Sequence, residues 1–249
     1  MADKTTIKFF KDDIDFIHTP MGASKPLMTA TSSAAVYNRL GNLMSVLAMK
    51  SNIELAAIIA VWLVESDGRT HKPGKAVIRF ENHLLRRQLD LDEYKKHFMD
   101  DGLLQEPGKG WKGHKWRVVQ SGNWLKVHTD QIMEYDVLTF TRQKYGDEIA
   151  LKCISIGGPQ ILVSNHKCIG YVSPTEMYTA FQKDERWHVL GFFDFCENCM
   201  STRGVGSKYL TAKDWKKFAA AYNGPGNAEV YGTKIEVAYR AAKETLKAV

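Results

Sequence analysis

The ten residues from Leu55 to Val64, LAAIIAVWLV, carry no polar side chain except the indole of Trp62, and the chain then turns abruptly polar at Glu65, Ser66, Asp67 and Gly68. A helix of this composition is apolar on every side and belongs at the centre of a domain. It is too short for the roughly 20 residues that a membrane helix needs, so the rest of the chain has to wrap around it. A chain of 249 residues with 44% hydrophobic content has the material to do so. Ser51 and Glu54 have the S-x-x-E spacing of a capping box, which predicts that the helix begins at Ser51. Gly68 is suited to a left-handed C-terminal position and predicts that it stops near Asp67 and Gly68.

Around this centre the chain reads as mainly α. Residues 1–30 show no clear period, end in TPMGASKP, and read as an N-terminal arm. The stretch SSAAVYNRLGNLMSVLAMK predicts a first helix. Helical periodicity returns in TDQIMEYDVLTFTRQKYG and again from Asp147 through Ser155, while IGGPQILVSNHKCIGY reads as a turn and a buried connection. Ser173, Pro174 and Glu176 mark another start, with proline at the first helical position, and a long apolar helix through Phe192 and Phe195 follows. The loop GVG at Gly204 to Gly206 precedes a helix started by Thr211 to Asp214, and a last helix runs from about Ala228. Any β structure is expected within residues 76–126, and residues 31–249 read as one domain.

The N-terminus is charged throughout and lacks the apolar centre of a secretory signal. The expected location is therefore a cytoplasm, where Cys153, Cys168, Cys196 and Cys199 would stay reduced thiols. Cys196 and Cys199 form one C-x-x-C with no second pair to complete a tetrahedral set, so neither a metal nor a cofactor is expected. The net charge of +6 is uneven: between Pro107 and Thr129 stand Lys109, Lys112, Lys115, Arg117 and Lys126, with no acid and with Trp111, Trp116 and Trp124. Such a surface suits an anionic glycan or a nucleic acid. A solvated hairpin whose tryptophans anchor a core competes with both.

Phosphate-loop, zinc-protease, nucleophile-elbow and dinucleotide motifs are absent from the sequence. What remains are carboxylates in apolar settings. Glu65 falls in the last turn of the apolar helix, where desolvation and the negative end of the helix dipole both disfavour its ionised form. An acid that keeps its proton near neutrality is what cleavage of a glycosidic bond requires. Glu81, in IRFENH, is the candidate second carboxylate, with pairing to Arg69 or Arg79 as the competing reading.

The ordered set VWLVESDGR, IRFENH, SIGGPQILVSNHKCIGY and DWKKFAAAYNGPGNAEVYGTKIEVAY resembles the N-acetylmuramidase family of phage and bacterial cell-wall lysins, over about residues 35–245. Members show an AV.EVESGG helix end, an ILFERH segment, a SWGLFQIMGFNH segment and a YNGPGY junction. The resemblance implies a lysozyme-like, mostly helical fold with a small β or irregular region. It implies hydrolysis of the β-1,4 bond between N-acetylmuramic acid and N-acetylglucosamine in peptidoglycan. Glu65 then falls on the catalytic glutamate and Glu81 on the second acidic position. Gln160, the Asn165 and His166 pair, and Tyr222 with Asn223 fall on substrate-binding motif positions, joined by Ser66, Arg69, His83 and Tyr231 within the same segments. Asp67, Asn82, Ile156 and Pro159 depart from the family pattern.

The partners this implies are peptidoglycan strands, with anionic wall or outer-membrane polymers held by the basic segment 107–129. Neither nucleic-acid binding nor stable membrane insertion is expected, and the protein is expected to be a monomer. It would stay in the host bacterial cytoplasm until release and then act at the wall. The competing readings are a lytic transglycosylase, which leaves 1,6-anhydro ends, and a non-catalytic wall-binding phage protein.

Overall fold

The computed structural model describes residues 8–66, 74–104, 112–200, 202 and 204–247. Its chain divides into two compact units: Met1–His71 with Cys168–Gly170 and Asp184–Val249, and Lys72–Lys167 with Tyr171–Lys183.

The first unit starts with a 3-10 turn at Phe10–Asp12 and helix α1 at Ile14–His18. Helix α2, Ser32–Lys50, covers the predicted first helix, and the Thr31 side chain caps it by accepting from Ala34 N. Its buried positions Val36, Tyr37, Leu40, Leu43, Met44 and Leu47 recur at three- and four-residue spacing, which gives one face to the core. Helix α3, Leu55–Ser66, buries every residue from Ala56 to Trp62.

The start of α3 corrects the sequence reading. Ser51 closes α2 through its N–H to Leu47 O, its hydroxyl has no partner, and Asn52 takes a left-handed φ of 54°. A residue that ends one helix is not in the extended conformation that caps the next. Glu54 instead accepts from Tyr239 at 2.6 Å and pairs with Lys213. The predicted stop at Asp67 and Gly68 lies outside the described residues.

In the second unit β1, Ile78–Phe80, is followed by α4 at Asn82–Arg86, α5 at Leu91–His97, β2 at Phe98–Met99 and α6 at Asp101–Leu104. Strands β3, Lys115–Trp116, and β4, Leu125–Lys126, come next, then α7, Gln131–Tyr145, and α8, Asp147–Leu151. Strands β5, Ile154–Ile156, and β6, Ile161–Leu162, lead through a 3-10 segment at Val163–Ile169 to α9, Pro174–Lys183. Two antiparallel sheets result, in orders β1-β5-β6 and β2-β3-β4. Strands are therefore not confined to residues 76–126, and the helix predicted through Ser155 ends at Leu151. Ile154 and Ile156 pair with Phe80 and Ile78, because a three-residue buried strand needs a partner that local periodicity does not show.

Helix α7 supports β1 through side chains: Gln131 both donates to and accepts from Ile78, and Glu134 accepts from Phe80 N at 2.6 Å. Asn82, fully buried, donates to Met99 O and Lys115 O and so stitches the end of β1 to the second sheet. At the head of α9 Ser173 accepts from Glu176 N, and the Glu176 carboxylate accepts from Val172 N.

The chain re-enters the first unit as α10, Glu185–Asn198, followed by α11 at Val205–Ala212, α12 at Trp215–Asn223, a 3-10 turn at Pro225–Asn227 and α13 at Ala228–Leu246. Helix α11 lies partly where a GVG loop was expected; Gly204 takes φ 71° and the helix starts after it. Gly206 sits against the backbone of Cys196, where a Cβ would come within 2.8 Å, so its glycine serves close packing. The buried face of α13, with Ala228, Gly232, Ile235, Tyr239 and Ala242, packs beside α3 and α12. Asp194 on α10 is buried and accepts from Phe10 N at 2.7 Å and Lys11 N at 3.2 Å, which ties the N-terminal segment down.

The expectation of four reduced cysteines is overturned. Cys168 and Cys199 form a disulfide with Cα atoms 5.3 Å apart, while Cys153 and Cys196 are buried free thiols. The C-x-x-C splits because Cys196 points into the core and Cys199, beyond the helix end, meets the returning segment at Cys168. Among the described residues no helix is long and apolar enough to cross a membrane.

Candidate functional site

Each of the two singled-out carboxylates has its own surroundings, Glu65 in the first unit and Glu81 in the second. Glu65 stands in the last turn of α3, where apolar residues have removed water from one side and the helix carbonyls point toward it. Asn223, the last residue of α12, donates from Nδ2 to Glu65 Oε1 at 2.9 Å. The helix ends there because Gly224 takes φ 89°, and Asn223 Oδ1 is left buried without a partner. Desolvation pushes the Glu65 carboxyl up to about 7, against the opposing pull of the Asn223 hydrogen bond and the Lys234 charge. Lys234 lies over the Tyr231 ring at 5.4 Å.

Tyr222 packs its ring against Phe195 at 5.1 Å and Phe218 at 5.3 Å. Burial first and the Glu65 charge second drive its phenol well above the ordinary value. Ser66 is buried, and its hydroxyl donates back to Trp62 O at 2.7 Å within the helix. The first unit thus gathers Glu65, Tyr222 and Asn223, with Lys234 acting on the acid by charge and also contacting Tyr231. Arg69 lies outside the described residues.

Glu81 follows β1 and has charged neighbours. Arg79 Nε donates to Oε1 at 2.9 Å, and Nδ1 atoms of His83 and His114 lie 3.4 Å and 3.7 Å from Oε2. Burial alone would raise the Glu81 carboxyl, but His83, Arg79 and His114 outweigh it and hold the group below the usual range. Of the pairings weighed for Glu81, the one with Arg79 is present.

Gln160 has φ 50° in the turn between β5 and β6, and its amide accepts from Ser155 and donates to Gly157 O at 2.8 Å. Its side chain thereby braces that turn. His166 is buried, with Nδ1 at 3.1 Å from Val163 O, and Asn165 beside it is half-buried in the same 3-10 segment. The second unit therefore joins Glu81 to His83, while Gln160 is held by its own turn and by Val77 O at 3.3 Å, and His166 lies against Val163 O.

Sequence reasoning missed His114, His128 and Glu134. His114 and His128 come together at 2.8 Å because they flank the β3-β4 hairpin, and His128 Nδ1 meets Glu134 Oε1 at 2.8 Å. The only sequence signal was two histidines, His114 and His128, within the basic stretch. In that stretch Lys115 and Lys126 stand opposite each other across the hairpin, and Arg117 covers the Trp124 ring at 4.2 Å.

Residues 54–243 match the family model described as N-acetylmuramidase. No curated protein matches the chain. Among solved structures the fold is similar to the crystal structure of Burkholderia AP3 phage endolysin, with a TM-score of 0.57 and 26% identity over 82% of this chain and 70% of that chain. With the match spanning well over half of its length, the chain belongs to the N-acetylmuramidase family and is a peptidoglycan hydrolase of α-rich, lysozyme-like α+β fold.

Proposed function

We propose that the protein is an endolysin-type muramidase that cleaves the β-1,4 bond between N-acetylmuramic acid and N-acetylglucosamine, with Glu65 as general acid. The observation that carries the reading is the Glu65 carboxyl itself, pushed up to about 7 at the end of an apolar helix and held by one neutral amide. A glycosidic oxygen leaves as a poor alkoxide unless a proton reaches it as the bond breaks, and an acid whose pKa lies near the working pH is both protonated and able to give that proton up. Asn223 fixes one carboxyl oxygen, which leaves the other for the proton. Its unpartnered Oδ1 adds an acceptor of the kind that N-acetyl and hydroxyl groups of a sugar need.

Glu81 has the opposite character. Arg79 and the neighbouring histidines favour its ionised form, which is what a base, a nucleophile or an electrostatic stabiliser of an oxocarbenium ion requires. We assign it the second carboxylate role on that chemistry. The wall is the substrate in this reading, reached after release from the host cytoplasm, and the hairpin lysines add affinity for anionic wall polymers.

The experiment is digestion of purified peptidoglycan followed by mass spectrometry of the released muropeptides. Hydrolysis at the proposed bond gives reducing N-acetylmuramic acid ends. Products ending in 1,6-anhydro rings would replace the reading with a lytic transglycosylase, and binding to the wall with no release of fragments would replace it with a wall-binding protein.

A further inference from the structure

Around Glu81 the second unit holds a cluster of donors, of which His128 and Glu134 have no part in the hydrolytic reading. His114 lies just before β3 and His128 just after β4, and the bond from Val127 N to His114 O closes the hairpin between them. Glu81 approaches the pair from the end of β1. One ligand atom from each of Glu81, His114 and His128 lies within 4.8 Å of the others. His114 Nδ1 lies 2.8 Å from His128 Nε2 and 3.7 Å from Glu81 Oε2. Ligand atoms on a tetrahedral zinc with bonds of about 2.0–2.1 Å stand about 3.3 Å apart, so small side-chain shifts convert this triangle into a coordination face.

The surroundings orient the donors for that use. Glu134 is buried, holds Phe80 N on Oε2 and takes the Nδ1–H of His128 on Oε1. This fixes the tautomer of His128 and turns the lone pair of Nε2 inward, the carboxylate–histidine arrangement that supports metal-bound imidazoles. Arg79 occupies Glu81 Oε1, so the oxygen that remains is the one directed at the histidines. His83 Nδ1, buried and without a hydrogen-bond partner, lies 3.4 Å from the same Oε2 and offers a fourth nitrogen. Two carboxylates and three imidazoles gather here around a single guanidinium, a balance that a divalent cation would improve.

We propose that Glu81, His114 and His128 form a binding site for one divalent transition-metal ion of the zinc class, with Glu134 as its positioning residue. Two imidazoles and a carboxylate favour such ions over magnesium or calcium, which prefer all-oxygen sets. Bound there, the ion would join the end of β1 to both ends of the hairpin.

The test reads bound metal, so its outcome is independent of any role of Glu65 or Glu81 in hydrolysis. Full-length protein stripped with a chelator is titrated with zinc in a calorimeter, with magnesium and calcium as controls. One zinc per chain, no heat from the controls, and affinity lowered at least about tenfold by His114→Asn or His128→Asn are expected, with Glu134→Gln costing about 10- to 100-fold. For variants that fail to fold, the wild-type chain is loaded with cobalt(II): visible bands of a four- or five-coordinate ion that zinc displaces support the site. Absence of stoichiometric zinc uptake by the wild-type chain overturns the proposal and leaves a metal-free hydrogen-bond chain. So does undiminished zinc affinity in folded His114→Asn/His128→Asn protein, or the binding of magnesium or calcium as tightly as zinc.

Discussion

Glu65 and Glu81 are the same residue type, each set just after an apolar stretch, yet their carboxyls move in opposite directions. The first is pushed up to about 7 and the second is held below its ordinary range. Burial raises both. What differs is the company: a neutral amide and a more distant lysine around Glu65, a bonded guanidinium and two imidazoles around Glu81. In a site of restricted solvent the nearest formal charge decides the sign, and desolvation decides it only where no such charge is close.

The sharpest way to break this comparison is Glu65→Gln, which keeps the size and the acceptor for Asn223 but has no proton to deliver. Clearance of purified walls should fall by roughly 10²- to 10⁴-fold. A variant that clears walls at the wild-type rate removes Glu65 from the chemistry.

The same substitution sharpens the comparison through stability. Because the folded-state value of Glu65 is raised from 4.5 to about 7, the native state binds this proton more tightly than the unfolded chain. Its contribution is therefore complete below about pH 4.5 and is lost as pH rises through about 7. Denaturant titrations should show Glu65→Gln more stable than wild type above pH 7, by on the order of 1–3 kcal/mol, and no such gain at pH 4. Equal stability differences at both pH values would mean that Glu65 is not desolvated.

Asn223→Ala is expected to act more weakly and in a diagnostic direction. The amide favours the ionised carboxylate, so its loss should move the alkaline limb of the pH–rate profile to higher pH, with a stability cost of about 1 kcal/mol. A limb that moves to lower pH would contradict the assignment of that bond. The smallest effect is expected for Lys115→Ala with Lys126→Ala. These partly or fully exposed side chains face each other with like charge, so stability should change by less than about 0.5 kcal/mol while the salt dependence of wall binding weakens. Unchanged salt dependence in a pull-down on insoluble walls would remove the hairpin from the binding surface.

The contrast between the two carboxylates also marks how far the sequence could be read. The surroundings of Glu65 were legible because they are made by its own helix: ten apolar residues and a helix end determine the desolvation, and YNGPG announced the place where Asn223 stops α12. The long helices α2 and α13 were legible for the same local reason. Ser51 misled because a serine can end one helix as well as begin the next, and α11 was hidden behind the glycines of GVG. Strand β5 was read mostly as the end of a helix and β6 as part of a turn and buried connection, because Gly157 and Gln160, both with positive φ, dominate a segment whose paired residues number only three and two.

By itself the sequence determined an α-rich chain around one central apolar helix, with an acid at its end whose proton is hard to remove, since those properties arise from neighbours within a few turns. Only the tertiary structure decided that Cys168 meets Cys199, that Arg79 and the histidines keep Glu81 ionised, and that His114, His128 and Glu134 line up behind it. The disulfide and the approach of His114 to Glu81 join positions tens of residues apart, and the near pairs, Arg79 with Glu81 and His128 with Glu134, form only where the backbone turns their side chains together. Their energies depend on distances of a few ångströms, which hydrophobic periodicity and residue spacing do not encode.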